Sequence, residues 1–493
     1  MRIASMPDSR MPDSRAVRKV VPSSLRSHTV RGHRRAVHVD SLAARWIGAL
    51  AVLSMFCWLV LLLARDHHHS LQAAGRLAWL WTILAAVALI ARGIVLGRPV
   101  TAAHASAAGA VLLAGLGAHL LSLDLLGNLL IAGAGLVLMW PTASRPQPEA
   151  LPRVCELINA TSNDPLAPFA MQALKSYHFN ADGTAAIAYR TRMGFAAVSG
   201  DPIGDESRFG ELVADFAAMC RSRGWRIMVL GCSERRRELW SDPAMIGHSL
   251  RPVPIGRDVV VDVAGFDMVG RKFRNLRQAV QRTRNGGVTT EVVDEQGIDD
   301  KLVAELAEVM NLSGRGARFE RGFSMILDGA LEGRYPGIQL IVARDRWGQV
   351  QGFHRYAVAG GGTDVSLDVP WRRPGAPNGI DERLSVDMIS EARASGAQRL
   401  SLAFAAFPEL FTDADRGRVQ SVFYALVHLL DPLIALESLS RYMRKFHSLG
   451  DRRYALVSMR HVLPAIFVLL PLEFMPRRRR RSLENVEKSE LAR

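Results

Sequence analysis

The chain has 493 residues, of which 49% are hydrophobic, and its 62 lysines and arginines exceed its 47 acidic residues by 15. This length is too great for one ordinary domain and predicts two or three cores. The basic excess favours anionic partners, with lipid headgroups first and nucleic acid second. The four cysteines lack CxxC or zinc-type spacing, which argues against a structural metal and favours a reduced, cytosolic soluble part.

The first part of the chain has the composition of a membrane anchor. Residues 1–45 carry ten lysines and arginines against three aspartates, and we expect a disordered basic tail there. Residues 46–140 contain very few charges and hold four apolar stretches, each close to the ~20 residues that a helix needs to cross a bilayer. These stretches are Trp46–Ala64, Leu77–Leu96, Ala102–Leu121 and Leu125–Trp140. The pattern predicts a bundle of about four transmembrane helices, with three or five as the alternatives.

The flanking charges orient this bundle. The basic tail precedes the first apolar stretch, Arg92 and Arg98 mark the second connection, and Arg145 follows the fourth stretch. Positive charge accumulates on the cytosolic side of membrane proteins. We therefore expect a multi-pass protein of the cell membrane whose tail and remaining residues face the cytosol.

A proline-containing linker, residues 141–152, leads into a region where strand and helix patterns alternate. Apolar runs at Ala185–Tyr189 and Phe195–Ser199 flank Gly194 and indicate a hairpin. A helix is then predicted at 209–223, strands at 226–231 and 258–263, and a helix at 268–284. The natural division is into two similar α/β halves, residues 153–299 and 300–460.

The second half repeats the alternation. A helix is predicted at 300–311, strands at 338–343, 350–357 and 364–370, a helix at 380–395 and a strand at 399–403. A glycine- and proline-rich loop, Arg372–Gly379, separates the third strand from the second helix. This order resembles the GNAT acyltransferase core, in which a loop and a helix N-terminus present N–H groups to a phosphate-rich acyl donor. The predicted fold is an α-helical transmembrane bundle plus a cytosolic α/β region of tandem GNAT-like acyltransferase units.

Five segments, in order, resemble the synthase domain of the phosphatidylglycerol lysyltransferase family, also called multiple peptide resistance factors. They are Ala185–Asp205, Arg271–Gly287, Glu320–Met325, Ser366–Leu384 and Ser438–Leu456. The resemblance covers about 300 residues. The chain departs from the family in its short membrane bundle and in LSLAFAAF at Leu400–Phe407, which leaves lipid flipping and the amino acid transferred open.

The resemblance implies transfer of an amino acid, expected to be lysine, from aminoacyl-tRNA to the headgroup of phosphatidylglycerol. Charged tRNA, phosphatidylglycerol and anionic membrane lipids are thus the expected partners, and no cofactor or metal is expected. Two alternatives remain, an acyl-CoA-dependent acyltransferase acting on a membrane-associated substrate and a catalytically inactive scaffold.

Three carboxylates are candidates for the chemistry. Asp381 and Glu320 match family positions and could bind the ammonium of the donor's amino acid or act as general base. Asp381 could equally cap its helix. Asp368 is predicted at a strand end facing the loop, a common catalytic location, with an exposed surface carboxylate as the alternative.

The remaining candidates bind substrate. Arg372, Arg373 and Gly379 lie in the presumed donor loop, where guanidinium groups suit phosphate contacts. Lys445 and Arg453 match family positions and are candidates for the lipid phosphate. Four basic residues share one helix and are expected to contact tRNA or lipid, namely Lys272, Arg274, Arg277 and Arg282. Finally, the apolar and polybasic tail, residues 461–493, is expected to insert peripherally rather than cross the membrane.

Overall fold

The computed structural model describes residues 35–37, 42–65, 73–313, 323–324, 326–406 and 442–474. Four helices form the N-terminal bundle: α1 (Leu42–Arg65), α2 (Ala73–Val95), α3 (Ala102–Leu120) and α4 (Asp124–Leu138). Helix α4 packs against α2 and α3, and α1 packs against α2. Within the predicted disordered tail, β1 (Arg35–Val37) pairs with β2 (Val100–Thr101), so part of that tail is ordered.

The bundle exposes much of its apolar surface. Leu113, Leu120 and Leu125 are 70%, 88% and 76% exposed. Among the described residues, Ala102–Leu120 is the one helix long and apolar enough to cross a membrane. Shorter apolar helical stretches lie at Arg45–Ser54, Leu80–Val95, Asp124–Leu138 and Met459–Leu469. The four predicted helices are present, whereas length and composition qualify one of them as a span.

The next elements build the first half of the α/β region. They are α5 (Leu151–Ala160), β3 (Ser176–Phe179), β4 (Ala185–Arg192), β5 (Phe195–Ser199), β6 (Ile203–Gly204), α6 (Phe209–Ser222), β7 (Arg226–Ser233) and α7 (Pro243–Ile246). The predicted hairpin is β4 and β5, which pair antiparallel through Arg192 and Phe195. Helix α6 buries Phe209, Leu212 and Phe216 against this sheet, because apolar residues three and four apart share one face of a helix.

The second half begins earlier in the chain than predicted. Its elements are β8 (Arg251–Asp262), α8 (Arg274–Asn285), β9 (Thr289–Asp294), α9 (Asp300–Leu312), β10 (Ile338–Arg344), β11 (Val350–Ala359), β12 (Asp364–Arg372), α10 (Ile380–Ala394) and β13 (Arg399–Ala406). Val261, Leu276 and Val288 belong to the same buried cluster as Leu384 and Leu400. The packing therefore places the boundary near residue 251 rather than between 299 and 300.

Two further elements follow, β14 (Arg452–Val457) and α11 (Val462–Phe474). One mixed sheet of twelve strands joins both halves in the order β3-β4-β5-β7-β14-β8-β13-β12-β11-β10-β9, and β6 pairs with β4. Strand β14 was not predicted, and it pairs with β7 on one side and β8 on the other. Strand β14 therefore closes the seam between the two halves.

Arg453 lies in this seam and is fully buried. Its guanidinium donates to Asp258 (2.7 Å), Asp164 (2.7 Å) and Asp201 (3.3 Å), which come from three separate segments of the chain. Burial raises the pKa of Asp258 to about 6, against the opposing effect of Arg453. Breaking a buried ion pair by removing one partner leaves uncompensated charge in a low-dielectric environment. Arg453 thus ties the two halves together.

We predict that Arg453→Met lowers the free energy of unfolding by about 3–5 kcal/mol at pH 8, because three buried carboxylates lose their counterion. Burial raises the folded-state pKa of Asp201 and Asp258 above the unfolded value, and the variant lacks the guanidinium that opposes this effect. The stability they contribute is present at low pH and lost as pH rises. The deficit should therefore shrink between pH 8 and pH 5.5. Thermal unfolding of the full chain in detergent measures it, with exposed Arg251→Met as control, and equal melting temperatures for the two variants would contradict the prediction.

Candidate active site

Strands β12 and β13 diverge and open the sheet in the second half. They run parallel and pair over three residues each, from Asp364 with Arg399 to Ser366 with Ser401. Beyond that point β12 continues to pair with β11, and β13 continues to pair with β8. The facing edges of the last residues of β12 and β13 are therefore not paired with each other. This opening is the feature that distinguishes a GNAT-like unit from a continuous sheet.

Helix α10 begins at the mouth of this opening because the loop after β12 leads directly into it. The residue before the helix, Gly379, has a φ of 101°, in the left-handed region that favours glycine. A Cβ at this position would lie 2.8 Å from the carbonyl oxygen of Ala279 on α8. Glycine is thus required both by the backbone conformation and by the close approach of α8 and α10.

Asp381 lies in the first turn of α10 with its side chain 19% exposed. One carboxylate oxygen is 3.2 Å from Nε2 of His354, which is fully buried on β11. The other is 3.4 Å from the guanidinium of Arg372, at the end of β12. A carboxylate in this position also benefits from the partial positive charge of the helix N-terminus. Asp381 is therefore an oriented carboxylate at the mouth of the opening.

A chain of polar side chains continues inward from Asp381. Nδ1 of His354 lies 3.4 Å from the hydroxyl of Tyr356, which lies 3.4 Å from the hydroxyl of Ser385. Ser385 also contacts the hydroxyl of Tyr442. Burial raises the pKa of both tyrosines well above the ordinary value, so both hydroxyls stay protonated at neutral pH. The histidine tautomer with its proton on Nε2 satisfies both contacts, donating to Asp381 and accepting from Tyr356.

Basic groups surround the start of α10. Lys445 forms an ion pair with Glu382, the residue after Asp381. The predicted basic residues lie on the exposed face of α8 or in the turn before it, namely Lys272, Arg274, Arg277 and Arg282. Arg277 also donates to the carbonyl of Gly270 at 2.8 Å. Helix α8 packs against the start of α10 through Ala279 and Gly379, so the helix that carries these basic residues is a neighbour of α10.

Other predicted site residues lie elsewhere. Asp368 is not at a strand end: it is the extra residue of a β-bulge within β12, buried and 2.9 Å from Arg355 on the sheet face opposite His354. Burial raises its pKa to about 6. Arg373 forms a two-pronged ion pair with Glu308 on α9 (3.0 and 2.8 Å). Arg453 lies buried in the seam. Its role is therefore structural, and the prediction that it binds the lipid phosphate is wrong. Glu320 lies outside the described residues.

His354, Tyr356 and Ser385 were missed by the sequence analysis, although a signal for them exists. Residues two apart on a strand point to the same face, and residues four apart share a helix face. His354 and Tyr356 fit the first rule, and Asp381 and Ser385 fit the second. The sequence does not show that this face of β11 and this face of α10 meet.

The opening between β12 and β13, with a helix N-terminus at its mouth, defines a GNAT-like acyltransferase fold. Residues 156–457 match the family model described as the C-terminal part of phosphatidylglycerol lysyltransferase. The chain therefore belongs to the phosphatidylglycerol lysyltransferase family and is a transferase of that type, as its sequence motifs predicted.

Two relatives match this chain over different lengths. The chain is 68% identical over 452 residues to MprF-like domain protein Rv1619 of Mycobacterium tuberculosis, covering 91% of this chain and 93% of that protein. It is 31% identical over 298 residues to the lysylphosphatidylglycerol biosynthesis bifunctional protein LysX of Rhodococcus jostii. That match covers 59% of this chain and 26% of LysX, so the chain spans about a quarter of that relative.

Solved structures share the fold of the α/β region. One is the C-terminal domain of a putative lysylphosphatidylglycerol synthetase from Agrobacterium fabrum, with a TM-score of 0.56 and 21% identity, covering 67% of this chain and 98% of that one. Another is L-PGS from Bacillus licheniformis, with a TM-score of 0.55 and 20% identity, covering 68% and 98%. Both confirm the fold of the α/β region. The N-terminal helical bundle lies outside the family match.

We predict that Gly379→Ala displaces the start of α10 and reduces transferase activity at least about tenfold, since strained backbone and a 2.8 Å contact cost of order 1–3 kcal/mol. Gly375→Ala is the matched control: it lies in the same loop with a φ of 80°, but a Cβ there meets nothing within 4 Å. Activity and melting temperature are measured together. Equal losses in both variants would assign the effect to backbone conformation alone.

Proposed function

We propose that this chain transfers an aminoacyl group, expected to be lysyl, from aminoacyl-tRNA to the headgroup of phosphatidylglycerol at the cytosolic membrane surface. The observation that carries the proposal is Asp381, oriented by His354 and Arg372 at the opening between β12 and β13. Family membership supports the acceptor, because LysX and the solved relatives are named for lysylphosphatidylglycerol synthesis.

The proposed reaction is a transesterification. A glycerol hydroxyl of the lipid attacks the carbonyl carbon of the aminoacyl ester, the new carbon–oxygen bond forms, and the bond to the ribose oxygen breaks. The hydroxyl proton ends on the ribose oxygen. One ester replaces another, so the free energy change is small, and orientation of the reactants with stabilisation of the oxyanion supplies much of the rate.

Asp381 serves this reaction in one of two ways. As general base it accepts the hydroxyl proton, for which a carboxylate within hydrogen-bonding reach of the acceptor suffices. As a recognition group it pairs with an ammonium of the donor's amino acid. In both roles the carboxylate must stay ionised and fixed, and the contacts to His354 and Arg372 serve that purpose. The two roles differ in their kinetics, because loss of a base lowers kcat and loss of a binding group raises KM.

The exposed basic face of α8 supports a polyanionic donor. It carries Lys272, Arg274, Arg277 and Arg282 next to α10, and phosphate contacts made by such groups release counterions. We assign this face to the tRNA backbone. Lys445 pairs with Glu382 beside Asp381, and we assign it to the lipid phosphate after exchange of its partner.

The N-terminal helices support a membrane location. Their leucines are exposed to an extent that a soluble surface rarely shows, and helices are the elements whose backbone groups are satisfied inside lipid. We propose that α1 to α4 span the membrane with the α/β region on the cytosolic side. On this side alone can charged tRNA reach the opening.

We predict that Asp381→Asn lowers the yield of aminoacylated phosphatidylglycerol by about 100-fold or more, the range expected for loss of a general base. Purified protein is incubated with lysyl-tRNA and phosphatidylglycerol, and the lipids are separated by charge. Glu391→Gln, exposed on the same helix, is the control and should keep full activity. Product formed equally by both variants would remove Asp381 from the chemistry, and product that survives RNase treatment with acyl-CoA as donor would favour the acyl-CoA alternative.

We also predict that Arg274→Gln combined with Arg282→Gln raises KM for lysyl-tRNA several-fold and reduces the slope of log KM against log salt by about 1–2 units, because two phosphate contacts are lost. The KM for phosphatidylglycerol should not change. The control removes two exposed arginines elsewhere, Arg221→Gln with Arg251→Gln. An identical salt slope in both double variants would show that α8 does not contact the tRNA.

A further inference from the structure

The end of the helical bundle rests directly on the first half of the sheet. The indole N–H of Trp225 donates to the carbonyl of Thr142 at 2.8 Å, just after α4. A Cβ on Gly224 would lie 2.5 Å from the carbonyl oxygen of Gly97, in the loop after α2. The bundle end and the turn before β7 are therefore packed in backbone contact, which brings charges from distant segments together.

Three arginines come from these segments. The N–H of Arg226 donates to the carbonyl of Gly194 at 2.9 Å, and a Cβ on Gly194 would lie 3.8 Å from the guanidinium of Arg98. Arg92 lies in the last turn of α2, Arg98 lies in the loop after α2, and Arg226 begins β7. We call them the junction arginines. Arg98 donates to the carbonyl of Met139 at 2.8 Å. Among the described residues, none of the three forms an ion pair with a carboxylate, whereas Arg355, Arg399 and Arg453 do.

The junction arginines repel one another where Arg98 and Arg226 are partly buried and Arg92 is exposed. Burial lowers the pKa of Arg98, and the charges of Arg92 and Arg226 lower it further. Burial lowers the pKa of Arg226, with Arg92 adding to the effect. The titratable groups near Arg226 from the neighbouring turn are also basic, namely His461, whose pKa burial lowers, with Arg460 beside it. Such an arrangement stores repulsion that an anion would relieve, because partly buried charges are screened weakly by solvent.

The surroundings of the cluster indicate what kind of anion fits. Helix α11 follows Arg460 and His461 directly and leaves Leu463 and Phe467 68% and 71% exposed, while Ala465 and Val468 pack on the sheet. On the other side begin the apolar helices of the bundle. An exposed apolar surface on both sides of a compact cation cluster suits a phosphate that carries acyl chains. A nucleic acid backbone would instead need an extended basic surface without apolar flanks.

We propose that the junction arginines form a binding site for the phosphate of an anionic phospholipid, separate from the opening at Asp381. A guanidinium pairs well with phosphate oxygens, with up to two parallel hydrogen bonds. The bound lipid neutralises the repulsion between the two parts of the chain and fixes the bundle on the sheet. The inference rests on the proposed membrane placement of the bundle and assigns a lipid that is not consumed in the reaction.

The test uses the full chain in detergent and follows its melting temperature as short-chain phosphatidic acid is added. This lipid lacks the glycerol hydroxyls that the transfer reaction needs. The variant combines Arg92→Gln with Arg226→Gln, since neither side chain makes a hydrogen bond among the described residues. The control is exposed Arg346→Gln. Phosphatidylcholine with the same chains, inorganic phosphate and uncharged tRNA are added in parallel.

We expect phosphatidic acid to stabilise the wild type and the control, and the double variant to need at least tenfold more lipid for the same shift. The lipid-free double variant should melt at the same temperature as the wild type or higher, because repulsion has been removed. A lower melting temperature without lipid would overturn the proposal, as would an unchanged response to phosphatidic acid. Equal arginine-dependent shifts with inorganic phosphate or with tRNA would overturn the assignment to a lipid.

The same assay separates this site from the catalytic one. Asp381→Asn should keep the full response to phosphatidic acid although its transfer activity is lost. A response that disappears in Asp381→Asn would place the lipid in the opening between β12 and β13 and overturn a separate site.

Discussion

The ion cluster around Arg453 is the constraint on which the arrangement of the α/β region depends. One guanidinium, delivered by the last strand, binds Asp164, Asp201 and Asp258 from three segments of the chain. Two half-sheets could pack in many ways through apolar contact alone. A buried charge cluster allows far fewer, because each charge must keep its partner when water is excluded. The seam thereby fixes the two halves relative to each other. The second half contains the opening, and the first half contacts the bundle.

The opening around Asp381 and the contact with the bundle lie on different parts of one continuous sheet. The second half holds Asp381, His354 and the basic face of α8 around the opening between β12 and β13. The first half carries the contact with the bundle, where the junction arginines lie. The proposed donor site and the proposed lipid site therefore lie in different halves of the sheet, and the Arg453 cluster holds these halves together. A lipid-modifying transferase needs this geometry, because its donor is dissolved in water and its acceptor is confined to a surface.

Most elements of the fold were predictable because their patterns are local. The hairpin at Gly194 and the helix that follows Gly379 agree with the structure to within a few residues, since turn residues and apolar periodicity determine them. The prediction failed for β14 and for the boundary near residue 251. In the sheet, β14 lies between β7 and β8, which are far from it in the sequence. A local pattern does not predict which strands become neighbours. The burial of Asp368 was missed for the same reason, since its partner Arg355 lies on another strand.

The sequence by itself determined the apolar N-terminal stretches, the basic helix, the glycine loop and the membership of the family. These are properties of residue type and spacing, and they can be recognised without a structure. The tertiary structure alone decided which charged residues are buried partners and which are exposed groups. Arg453 and Arg372 look alike in the sequence, yet one lies in the seam and the other faces Asp381 at the opening. Burial and pairing depend on chain segments far apart in the sequence, and only their packing sets the dielectric environment and the charge that each residue meets.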